Sequence, residues 1–186
     1  ALPLFEIGRN ADNSTRIWDD VVNFSLGTTD ALVTTMVIGL QAPSSTTRDG
    51  TLNASFILGA TTPSGYTVDG LTIGAFRPTA SGFGTDTTMI ANGVFTLANA
   101  AGTLNATTIT LADASSLVFT GGTSKQANGT LNMLDGTVRA ITITRGSIVG
   151  ADVPGGQGPG GVTVTPRLDF SGGTIQNPTG LDTVIN

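Results

Sequence analysis

Short runs in which every second residue is apolar recur along the whole chain. One set reads Phe5/Ile7, Met36/Ile38, Leu71/Ile73, Ile109/Leu111 and Ile141/Ile143, often with Gly next, and its second members are 31 to 38 residues apart. Another reads Phe24/Leu26, Phe56/Leu58, Phe95/Leu97, Leu131/Met133 and Leu168/Phe170. A third, often after Gly-Thr, places Leu32, Val68, Leu104, Val138 and Ile175. The three tracks keep one order through five copies. Alternation with β-branched residues marks half-buried strands, and no window carries the apolar spacing of a helix for more than one turn.

Strands this short cannot bury a sheet face alone, so each unit must stack on its neighbours and lend its inward Ile, Leu, Val or Phe to a shared column. The pattern predicts an all-β, single-domain parallel β-helix (β-solenoid) spanning 1–186, in about five degenerate coils: 1–30, 31–66, 67–106, 107–140 and 141–186. A β-sandwich is the competing fold, but it does not repeat one three-strand phrase five times. Spacing drifts within Leu40–Asp49, Ala75–Thr88, Asp113–Asn128 and Gly146–Gly161, rich in Pro and Gly, so loop insertions are expected on one side. Ile73 should then face inward and Thr72 outward.

Composition narrows the chemistry. The chain has no Cys and no His, 11% charged residues and a formal charge of −5. Disulfides, thiolate metal sites and the commonest general base are missing, and no basic footprint exists for nucleic acid. No apolar run approaches the roughly 18 residues of a membrane span, and Ala1–Phe5 lacks a basic leader followed by an apolar core. The chain reads as mature or excised from something longer, not as membrane-inserted. Absence of Cys with scarce Lys suits bacterial secretion.

The phrases Ala127–Gly146, Asn92–Asp113 and Val22–Gly39 resemble the autotransporter-associated β-strand repeat and related Gly/Thr/Asn-rich bacterial surface proteins. The resemblance covers nearly the whole chain. It implies a right-handed parallel β-helix in an extracellular, cell-surface setting, and carries no catalytic residue to transfer.

An open solenoid exposes two unpaired strand edges. No capping helix is legible, so Leu4, Phe5 and Ile7 at one end and Leu181, Val184 and Ile185 at the other are candidate assembly edges, with copies of the chain itself as partner. The expected function is a self-assembling structural subunit of an extracellular filament, sheath or stalk. The alternative is an adhesin or glycan-binding passenger of a longer surface protein, recognising surface glycans through its insertions.

No enzyme, cofactor or metal is expected. Asn10, Asp12, Asn13, Asp19 and Asp20 offer hard oxygen ligands but lack the Asp-x-Asp-x-Asp-Gly pattern and bidentate Glu of a Ca²⁺ loop, and read better as a solvated turn. Glycoside cleavage would need two carboxylates on one groove, and adjacent Asp19 and Asp20 point to opposite faces on a strand. Thr72, Thr110 and Thr142, flanked by Thr108 and Thr144, could align hydroxyls as ice-binding solenoids do, but Glu6 and Val37 break the array. Five sequons, at Asn13, Asn23, Asn53, Asn105 and Asn128, arise from composition. Trp18 and Tyr66 read as core plugs or end covers rather than sugar platforms.

Overall fold

The computed structural model describes residues 1–11, 16–42, 49–77, 88–114, 125–146, 162–181 and 183–185, apart from the side chains of Ser64 and Val162. Among the described residues ten strands follow in chain order: β1 (Leu2–Asn10), β2 (Ile17–Gln41), β3 (Gly50–Phe76), β4 (Met89–Leu97), β5 (Thr103–Asp113), β6 (Lys125–Met133), β7 (Thr137–Arg145), β8 (Val162–Phe170), β9 (Thr174–Gln176) and β10 (Val184–Ile185). Every pairing is parallel. Among the described residues there is no helix. The chain is a β-solenoid.

Two columns of strands build it. The first stacks 17–24 of β2, 50–58 of β3, then β4, β6 and β8. The second stacks β1, 31–41 of β2, 66–76 of β3, β5 and β7, with β9 and β10 on β7. Three turns, 50–76, 89–113 and 125–145, have hydrogen-bonded neighbours on both sides in both columns; the outer turns are covered on one side or incomplete, so the full stack is shorter than the five coils expected. The inserted segments lie largely outside the described residues, although their described ends, Gln41, Phe76 and Asp113, meet at one corner of the stack. Lys125–Asn128, expected within an insertion, belong to strand β6.

Alternation does what the pattern asks of it. β4 runs buried and half-buried in strict turn from Met89 to Leu97, so one face enters the core and the other meets water. The inward first column lines up Val22, Phe56, Phe95, Leu131 and Leu168, and beside it Phe24, Leu58, Leu97, Met133 and Phe170. Phe56 is the aromatic hub: its ring centroid lies 5.2 Å from Phe95, 5.4 Å from Tyr66, 5.6 Å from Phe24 and 6.4 Å from Phe5. Ile73 lies in this core. Thr72 is on the opposite face, as expected, but is only 9% exposed, covered where Arg77 donates to its hydroxyl at 3.4 Å and pairs with Asp113 at 2.8 Å.

Register corrects three alignments by one or two residues. Val22, not Phe24, shares a row with Phe56, and Leu26 is fully exposed. Val22, Phe24 and Leu26 form one unbroken alternation whose phase the pattern cannot fix, and the ladder slips just after Phe24. In the last copy Ile143 stands beside Ile109, Arg145 takes the place beside Leu111, and Ile141 is exposed. Tyr66 and Ala31, not Val68 and Leu32, continue the line of Leu104, Val138 and Ile175. The hydroxyl rows change accordingly: Thr144 follows Thr72 and Thr110, while Thr142 follows Thr108.

The columns pinch together at one height in every turn. Gly8, Gly39, Gly74 and Ala112 occupy the left-handed region at φ 65°, 74°, 70° and 58°, which favours glycine because a Cβ is strained there. Opposite them runs Ala54, Gly93, Gly129 and Pro166; a Cβ on Gly129 would run into the carbonyl of Ile73. Backbone meets backbone and closes off the main core. Beyond the pinch a second core gathers Phe76, Met89, Ala112, Ala114 and Ala127. Lys125, the chain's single lysine, is fully buried in register with Met89.

Candidate functional site: the two open ends

At the amino-terminal end, β1 underlies β2 from Leu2↔Val33 to Asn10↔Gln41, and among the described residues no strand lies under 17–24. The main core is therefore open from below. Phe5, Phe24, Ala31, Val33 and Tyr66 look into a hollow of about 560 Å³, with Thr28, Thr29 and Asp30 among its lining. Burial raises the Tyr66 phenol to about 12, so it is held neutral in this apolar setting. Leu2, Leu4, Ile17, Val21, Phe24, Leu26 and Leu32 are exposed here.

At the other end no described strand pairs with the outer edge of β8, and among the described residues β9 and β10 cover only parts of β7. Phe170, Leu181, Val184 and Ile185 are exposed. Of all the exposed large apolar side chains among the described residues, only Leu134 and Ile141 lie away from the two end surfaces.

The structure places the six edge candidates as follows. Leu4 is exposed on β1, Phe5 is half-buried, and Leu181, Val184 and Ile185 are exposed at the opposite end. Ile7 is 4% exposed and belongs to the core. The stack keeps the two groups apart. Sequence reasoning missed Ile17, Val21 and Phe24 at the first end and Phe170 at the second, because alternation reads alike in an end strand and an inner one. Charge is mixed at both ends with opposite leanings: the first strands carry Glu6, Asp19, Asp20 and Asp30 against Arg9, which pairs with Glu6 at 3.1 Å, and the last turns carry Arg139, Arg145 and Arg167 against Asp135 and Asp169, the last paired with Arg167 at 2.6 Å.

The other candidates resolve into structure. Asn10 is buried and donates to Gln41 Oε1 at 2.9 Å; Asp12 and Asn13, including the sequon at Asn13, lie outside the described residues. Asp19 and Asp20 fall in alternate rows, with Asn53 and Ala54. Asp19 Oδ1 ends a ladder of amides on the outer face: Asn128 donates to Asn92 at 2.8 Å, Asn92 to Asn53 at 2.7 Å, and Asn53 to Asp19 at 2.7 Å. Two sequon asparagines, Asn53 and Asn128, are committed to that ladder, and Asn105 donates to Thr67 at 3.4 Å. Trp18 is half-buried at the foot of the row Leu52, Ala91, Ala127 and Val164, the position of an end cover.

Comparison with protein-family models, with curated proteins and with solved structures found no match.

Proposed function

We propose that this chain is a structural β-solenoid subunit that stacks end to end with copies of itself to form an extracellular filament, sheath or stalk of a bacterial surface. One observation carries the reading: exposed apolar side chains concentrate on strands whose outer edges pair with no other described strand. Natural sheets normally blunt such edges, since they template further pairing. Here both ends present them, and head-to-tail contacts of that kind generate open polymers. The surface setting rests on the composition and on the repeat resemblance.

Negative-stain electron microscopy of the native protein at neutral pH tests this. Uniform unbranched fibres are expected. Dispersed particles at every concentration would overturn the proposal and favour a monomeric binding passenger.

A further inference from the structure

β10 occupies ground that β1 would fit better. Val33, the partner of Leu2, lies in one row with Val68, Ala106 and Ala140. The same rows set Phe5 level with Ile143 and Ile7 level with Arg145. β9 covers only Thr137–Arg139 of β7, and β10 only Thr142 and Ile143. Gln176, level with Arg139, therefore stands one position before Leu2. The last turn holds a first-column strand and the start of the second column; β1 has the shape of the remainder.

Resting on the end-to-end reading above, we infer that β1 of a second copy displaces β10 from β7 and joins 162–176 of the first copy in one composite turn. β8 then lies in register beneath 17–24 of the second copy. Its inward side chains continue the existing rows: Val164 meets Trp18, Leu168 meets Val22 and Phe170 meets Phe24, while Ile175 meets Ala31. These groups fill the open hollow with apolar surface from the exposed end. On the outer face Arg167 arrives beside Val21, two residues from Asp19. Pro166 has no N–H, so the joint forgoes one donor there.

β10 is a light hold. Two residues pair, both exposed, and Thr183 donates its hydroxyl to Ala140 O at 3.1 Å. β1 spans nine residues. The tail acts as a latch that keeps the edge of β7 covered until a second copy replaces it.

The test uses the cysteine-free chain carrying Val21→Cys and Arg167→Cys, both at exposed positions. Within one copy these lie four strand spacings apart, about 19 Å, beyond the roughly 4–7 Å between Cα atoms that a disulfide spans. Oxidation is therefore expected to yield covalent chains of copies only. Cryo electron microscopy should give a rise of five strand spacings per copy, about 24 Å. Val184→Asp/Ile185→Asp should shorten the lag of assembly several-fold, with unchanged circular dichroism. A rise of six spacings, about 29 Å, with Leu4→Cys/Val184→Cys linking instead, would overturn the composite turn while sparing end-to-end stacking. Monodisperse single copies for all variants would remove the end-to-end reading itself.

Discussion

Asn53 donates its side-chain amide to Asp19 Oδ1 at 2.7 Å, and this bond terminates a chain of amides that all point the same way. Each inner asparagine gives one bond and takes one. A carboxylate can only accept, so Asp19 ends the series at the turn that has no described strand beneath it.

Asn92→Ala should therefore cost more than a change at the end. It removes one donated and one accepted bond, each worth about 0.5–1.5 kcal/mol net, so a loss of about 1–3 kcal/mol is expected in urea titrations. Asp19→Ala removes a single exposed bond and should cost less than about 1 kcal/mol. Asp19→Asn keeps an acceptor and should leave stability nearly unchanged. Equal losses from all three would show that the ladder contributes nothing as a unit.

Two buried groups give stability a turning point in alkali. Burial lowers Lys125 to about 8, with Asp49 opposing the shift, and raises Tyr66 to about 12. Between pH 8 and 10.5 the unfolded chain keeps a lysine proton that the folded chain has released, so stability rises with pH. Above pH 10 the unfolded tyrosine ionises while Tyr66 stays protonated, so stability falls. Thermal scans should show a gain of about 2 kcal/mol between pH 7.5 and 10, then a decline. Lys125→Met should abolish the rise, since Met89 holds the equivalent place one turn away.

The pinch predicts unequal responses at equivalent positions. Gly74→Ala would put a Cβ at φ 70° and against the backbone of Asn128 and Gly129, costing about 3 kcal/mol or more. Ala112→Gly relieves about 1–2 kcal/mol of left-handed strain and forfeits a similar amount in a buried methyl and chain entropy. Its urea midpoint should hardly move. Ala127→Gly, in an ordinary strand, should lower the midpoint clearly; a large loss in Ala112→Gly would contradict the strain argument.

The solenoid was legible because an inward residue must recur once per turn wherever a turn is buried, and Phe56, Phe95 and Leu131 do so at matching places. What alternation cannot convey is phase: Val22–Leu26 and Ile141–Ile143 remain apolar on the same side after a slip of two. Lys125 was hidden for the opposite reason, since a charge beside loop residues reads as solvent-facing, and only the second core beyond the pinch gives it a buried row. The ends were half legible. Alternation marked Leu4 and Val184 as edge candidates, but that no described strand lies under 17–24 follows from register alone.

Parallel stacking also fixes how the chain must assemble in time. Each residue pairs with one lying about a turn further along, so no segment closes on its own local neighbours and every loop closure precedes its reward. Growth proceeds by templating, each finished turn serving as the mould for the next. A molecule stalled midway would be a native stack carrying an unwound remainder, and its growing face would offer the same kind of surface that the completed chain presents at its ends.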